Sequence, residues 1–261
     1  MEHRRRAIFA LPSMCLLLPI GCATLPDHAR HRLLDGDRLY REKNYAAAEA
    51  TANVFLREFP DRPESAEAYY LRALCRVQMG QRITAEGDLD RCLSLSRRDD
   101  LTARAHAALG GLAFDSGRFT DAITHFGAAL ERIEERPPAD EIHYRYGVAL
   151  QREGRWDEAR KQFSALMHHF PGSRYEDDAR RRFSWPIKGF SVQCGAFREA
   201  ASADALVRKL RGASLEARRA AESRGGRPMH VVYVGSYASY AAADEALKRI
   251  KAQVSDAIVV P

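Results

Sequence analysis

Residues Gly189 to Leu210 read GFSVQCGAFREAASADALVRKL, and residues Met229 to Lys251 read MHVVYVGSYASYAAADEALKRIK. Each begins as a short β-rich run, breaks at a glycine followed within two residues by an aromatic, and continues into an amphipathic helical pattern. With the text between and after them, they predict strands at 190–194, 215–221, 230–234 and 257–260, and helices at 201–211 and 241–252. Glycines in SRGGR (Ser223–Arg227) supply the turn of a central hairpin. The order is βαββαβ, a split βαβ unit: one four-stranded sheet with both helices on one face and the other face open.

Strand alternation sorts the side chains. Phe190, Val192 and Cys194 point to the helices, as do Val232 and Val234. Ser191, Gln193, Val231 and Tyr233 belong to the open face. A polar Gln193 in an apolar strand is then no burial error. An amide beside a phenol ring suits a sugar, whose hydroxyl and acetamido groups take hydrogen bonds while the ring packs on the pyranose. An ordinary solvated sheet face is the other reading of the same pattern.

Upstream the text repeats. Ala48, Ala85, Ala122 and Ala159 recur every 37 residues, and each is preceded twelve residues earlier by Gly36, Ala73, Gly110 or Gly147. SGRFTDAITHF (Ser116–Phe126), EGRWDEARKQF (Glu153–Phe163) and KNYAAAEATANVF (Lys43–Phe55) are clear copies, and MGQRITAEGDL (Met79–Leu89) is a weaker one. Small residues at helix contacts permit close approach. Tyr45, Phe119 and Trp156 are placed to plug the crevice between paired helices. The pattern resembles the tetratricopeptide repeat, with Pro60 and Pro171 at its terminal proline position. The period exceeds the usual repeat of about 34 residues, so longer connections are expected. YEDDARRRF (Tyr175–Phe183) reads as a capping helix. The fold class is therefore an α-helical TPR solenoid over about 29–184, followed by a small α+β domain over 189–261. Each hairpin buries its face only on its neighbour, and the stack forms a groove of the kind that holds an extended peptide or a partner helix. An unidentified protein partner is expected there.

The first residues, MEHRRR, are basic, and AIFALPSMCLLLPI is an apolar run of 14 residues, short for a membrane span. Gly21-Cys22-Ala23 follows. This resembles a bacterial lipoprotein signal over 1–21, with Cys22 as the lipidated residue and 22–28 as a tether; Pro19 departs from that pattern. The resemblance implies a membrane partner through an N-terminal lipid, and Ala23 implies an outer-membrane address facing the periplasm. A plain cleaved signal and a helical anchor are the alternatives.

Net charge is +2 over 1–21, −1 over 22–185 and +5 over 186–261, so the basic balance lies in the C-terminal part. Cys75, Cys92 and Cys194 remain beyond the signal, an odd number. Cys75 and Cys92 occupy positions 10 and 27 of the second repeat, which leaves them roughly 10 Å out of register across a hairpin at about 1.5 Å per residue, too far for a disulfide. They read as small buried apolar residues. His168-His169 and His28-x-x-His31 have no carboxylate or cysteine to complete a metal set. No nucleophile–base arrangement or phosphate loop is present, so neither enzymatic activity nor a cofactor is expected.

FSVQCGAF together with VVYVGSYASYAAADEAL resembles the SPOR (sporulation-related repeat) domain over about 189–261. The resemblance implies binding of peptidoglycan, with preference for denuded glycan strands, on the open sheet face. It assigns the first-motif glutamine to Gln193, an often hydroxylated position to Ala196 and an apolar last-strand position to Ile258. With Ser191, Val231 and Tyr233 from alternation, these are the candidate glycan-binding residues. The family's third-strand aromatic and basic positions fall near Met229 and Val231 and are not kept; Tyr233 or His230 are the residues available to stand in. The family sometimes pairs its first-strand cysteine with one in the last strand; Ala257 stands there, which implies an unpaired Cys194. The βαββαβ order also occurs in RNA-recognition domains, but those carry aromatics on both central strands. Nucleic acid is not expected. The combined reading is a non-catalytic envelope lipoprotein that tethers to cell-wall glycan and recruits a protein, in wall remodelling or division. A protein adaptor whose SPOR-like sheet does not bind glycan is the alternative.

Overall fold

A computed structural model of the chain describes residues 25–133, 136–185, 189–224 and 227–260. The signal region with Cys22, and Gly225-Gly226 of the hairpin turn, lie outside the described residues.

Among the described residues nine helices come first: α1 (Asp27–Arg41), α2 (Tyr45–Glu58), α3 (Ser65–Gln78), α4 (Arg82–Leu95), α5 (Asp99–Asp115), α6 (Phe119–Leu130), α7 (Ala139–Arg152), α8 (Trp156–His169) and α9 (Glu176–Phe183). The first eight form four hairpins and α9 caps the last. The turn of each hairpin holds one residue in the left-handed region: Lys43, Gly80, Gly117 and Gly154, again 37 apart. Glycine takes that conformation without strain, and the first repeat manages it with a lysine. The repeat alanines Ala48, Ala85, Ala122 and Ala159 are fully buried. The small residues of the odd-numbered helices are needed where an aromatic enters. A β-carbon on Gly110 would lie 2.6 Å from the Phe126 ring, and one on Gly147 would lie 2.5 Å from the Phe163 ring. Phe126 and Phe163 thus drive their rings onto the backbone of the preceding helix, and the core from Ala113 to Ala179 is built around them.

The second repeat, weakest in sequence, is held differently. Asp88 is buried and accepts from both Arg72 and Arg76, and Arg76 also donates to Glu49 at 2.8 Å. Cys75, Cys92 and Cys194 are free, buried thiols. Burial pushes Cys75 and Cys194 up to about 11 and Cys92 up to about 12.

The C-terminal part is β1 (Phe190–Phe197), α10 (Ala200–Gly212), β2 (Ala217–Arg224), β3 (Arg227–Tyr237), α11 (Tyr240–Ile250) and β4 (Ile258–Val260). The sheet order is β2-β3-β1-β4, antiparallel throughout. The central hairpin is longer than the sequence predicts, with pairing out to Arg224 and Arg227. Val192, Cys194, Val232 and Val234 pack with Val207, Leu210 and Ile250 of the helices, as alternation requires.

Phe190 has a different role. It packs against Trp156 of α8, with ring centroids 5.3 Å apart, and against Tyr240 at 5.8 Å. Tyr240 also meets Phe119 edge-on at 6.2 Å and carries Arg152 over its face at 3.8 Å. Gly154 completes the contact, since a β-carbon there would collide with the Ala238 carbonyl. Tyr45 packs on Tyr40 and Phe119 on Phe114 within their own hairpins, but Phe119 and Trp156 also form a seat for the sheet domain. Among the described residues no helix is long and apolar enough to cross a membrane.

Candidate functional site

The helix-free face of the sheet carries one row of side chains across all four strands. Arg218 on β2 pairs with Tyr233 on β3, Tyr233 pairs with Gln193 on β1, and Gln193 pairs with Ile258 on β4. Paired residues on one face of an antiparallel sheet stand about 4.5–5.5 Å apart at the β-carbons, so this row is continuous. Ile258 is 52% exposed, an apolar side chain open to solvent at the edge strand.

Two features of the row come from tertiary contacts. The Arg218 guanidinium lies over the Tyr233 ring, with Cζ 5.1 Å from its centroid. Arg218 also donates to Ser191 Oγ at 3.1 Å, and the Ser191 hydroxyl donates to the Gly235 carbonyl at 3.1 Å. Ser191 is therefore nearly buried and serves to hold Arg218 in place. The Tyr233 hydroxyl donates to Glu222, four positions along β2 from Arg218. In the register, the Ala220–Val231 pair lies between the Arg218–Tyr233 pair and Glu222. Val231, expected on the open surface, is fully buried.

Ala196 reaches this face by a bulge. Strict alternation from Gln193 would turn Ala196 to the helices. The register of β1 against β3 shifts between Gln193 and Gly195, so that Ala196 pairs with Val231. A β-carbon on Gly195 would meet the Phe197 ring and Leu206 of α10, which puts Gly195 on the helix side. His230, one of the two stand-ins for the missing third-strand residues, is on the other face. It bonds Arg219, which pairs with Asp204 of α10. Tyr233 remains, joined by Arg218 and Glu222, which the motif comparison did not supply. Their signal was the alternation within ARRAAES (Ala217–Ser223), where positions 218, 220 and 222 share a face.

A second concavity lies among the helices. Leu33, Leu34, Tyr40, Tyr70, Leu74 and Arg104 of α1, α3 and α5 contribute to the lining of a groove of about 510 Å³. Leu34 is 65% exposed within it. Its walls are apolar, with charges at the rim, which suits an amphipathic segment. Among the described residues no cluster of three metal-ligating side chains occurs.

Comparison with known proteins agrees with this architecture. Residues 186–261 match the family model of the SPOR domain, residues 113–177 that of the tetratricopeptide repeat, and residues 37–112 that of the YfiO outer membrane lipoproteins. The outer membrane protein assembly factor BamD of Caulobacter vibrioides is 26% identical over 174 residues, covering 58% of this chain; the chain spans 57% of that relative's length. Among solved structures, YrrB, described as a TPR protein with an unusual peptide-binding site, superposes with TM-score 0.51 at 21% identity over 59% of this chain and 74% of its own. MamA superposes with TM-score 0.48 at 17% identity, covering 59% of this chain and 87% of its own. The families matched are non-catalytic binding domains. The three family matches, which tile residues 37–177 and 186–261, are those of a bacterial envelope lipoprotein with tetratricopeptide repeats and a C-terminal SPOR domain.

Proposed function

We propose that the chain is a lipid-anchored adaptor at the outer membrane, attached through Cys22, that binds denuded peptidoglycan strands on the open sheet face and recruits a protein through its helical groove during wall remodelling or division. The row Arg218–Tyr233–Gln193–Ile258 carries this reading. It offers groups an amino-sugar chain can use on one surface: the exposed Ile258 side chain for a pyranose face, the Gln193 amide for acetamido groups, and the Arg218 guanidinium, seated over the Tyr233 ring, as a hydrogen-bond donor. Ser191, Ala196 and Val231 flank the row, Ser191 and Val231 as its support and Ala196 as its smooth floor. The basic balance of 186–261 favours an anionic polymer. The leucine-lined groove across α1, α3 and α5 supports the second activity, and YrrB, with its unusual peptide-binding site, gives a precedent for peptide capture by this fold. The 26% identity to BamD is consistent with an outer-membrane address.

The test is co-sedimentation of the purified chain with peptidoglycan sacculi, before and after an amidase strips the stem peptides. Binding should rise on stripped sacculi and fall about tenfold or more in Gln193→Ala, with the circular dichroism spectrum unchanged. A folded protein that sediments with neither preparation would leave the protein adaptor as the function.

A further inference from the structure

Among the described residues the open face presents an arginine, Arg218, that no ion pair engages, while its neighbour Arg219 is paired with Asp204 at 2.9 Å. Glu222, on the same face of β2, is turned to the Tyr233 hydroxyl. Arg218 is nevertheless fixed. Its Cζ lies over the Tyr233 ring, and Ser191 takes one of its N–H groups. The Ser191 hydroxyl proton is directed to Gly235, so the serine oxygen meets Arg218 as an acceptor. Arg218 is an exposed residue, and its guanidinium makes no other hydrogen bond among the described residues. A planar fork, already stripped of much of its rotamer freedom and with donors to spare, is a receptor for a carboxylate.

We propose that Arg218 is a specificity-determining residue that reads the free lactyl carboxylate of the muramic sugars; this rests on the glycan reading above. In peptide-bearing glycan that carboxyl carbon is bound as an amide, which is neutral. Once the peptide is removed the same group is an anion on the sugar itself. Arg218 therefore selects peptide-free glycan by charge, independently of whether a peptide would fit.

Charge and size separate in one binding experiment with the full chain. Soluble glycan oligomers of equal length are prepared in three forms: amidase-stripped with free carboxylates, the same oligomers with each carboxylate converted to a methylamide, and chitin oligomers without lactyl groups. The methylamide is small but uncharged. Wild-type protein should bind the free acid about tenfold more tightly than the methylamide, with the difference shrinking at high salt. Arg218→Gln should bind both equally, and Arg218→Lys should retain part of the preference. Equal binding of acid and methylamide by the wild type, or a preference that survives in Arg218→Gln, would overturn the role of Arg218 while leaving glycan binding intact. Failure of the wild type to bind any oligomer would overturn the glycan reading and this inference with it. The wild-type comparison needs no variant to fold.

Discussion

Arg152 lies 3.8 Å from the centre of the Tyr240 ring, although one residue ends α7 and the other begins α11, 88 positions later. Burial holds the Arg152 guanidinium below the ordinary arginine value, so the contact is partly dry. Desolvated cation–π pairs contribute up to about 2 kcal/mol, and the Phe119, Trp156 and Phe190 rings add aromatic contacts of about 0.5–1.5 kcal/mol each. We expect Tyr240→Ala to release the sheet domain from the helices. Calorimetry should resolve two heat transitions where the wild type shows one. A single unchanged transition would show that the seat contributes nothing to cohesion.

Gly147 touches the Phe163 ring so closely that any β-carbon must displace it. The ring is fully buried, and overpacking a core costs about 1–3 kcal/mol. Gly147→Ala should lower the stability measured by urea unfolding by that amount, whereas Gly87→Ala, where the added carbon meets nothing within 4 Å, should raise it slightly through helix propensity.

Asp88 holds two arginines, Arg72 and Arg76, in the second repeat. Removing one partner of a buried ion cluster strands the others. Asp88→Ala should cost about 3–5 kcal/mol in chemical denaturation. A triple replacement of Asp88, Arg72 and Arg76 by apolar residues should recover most of that loss.

His106 and His125 face each other across α5 and α6, their Nδ1 atoms 3.1 Å apart, and burial sets both below the ordinary histidine value. Arg132, Glu131, Asp90, Asp121, Arg118 and Glu86 complete the charges around them. The folded state resists protonation that the unfolded chain accepts near pH 6.5. Their contribution to stability is therefore full above about pH 6.5 and is lost as pH falls below it. Thermal midpoints measured from pH 7 to pH 5 should decline, and less steeply in His125→Gln. That variant copies the His143–Gln162 pair, which occupies the same positions one repeat later.

The thiols of Cys75, Cys92 and Cys194 are buried and pushed up to about 11 or 12, so almost no thiolate exists near neutral pH. Mass spectrometry after a brief maleimide treatment should find all of them unlabelled in the native chain and labelled in urea.

Much of this was legible in the chain itself. The alanine period gave four hairpins, and the positive-φ residues fall on the same period because each turn solves the same geometric problem. Alternation in β1 and β3 separated Val192, Cys194, Val232 and Val234 from Gln193 and Tyr233, because successive residues of a strand must face opposite ways. Ala196 shows where alternation stops working. A single extra residue in β1 reverses parity beyond it, and the strand's composition does not announce that residue.

Local periodicity determined the order of helices and strands, the buried alanines and glycines, and the facing of strand residues up to the β1 bulge, since each depends on neighbours a few positions away. Tertiary structure alone decided the rest. Val231 is buried on a face where alternation left it exposed, and the Tyr233–Glu222 hydrogen bond joins two strands beside it. Arg218 is fixed because a ring from β3 and a hydroxyl from β1 converge on it. Phe119 and Trp156 received Tyr240 and Phe190 because the two halves of the chain dock there. Such contacts join residues separated by tens of positions, and only the packed molecule brings them within the few ångströms over which dispersion and hydrogen bonding act.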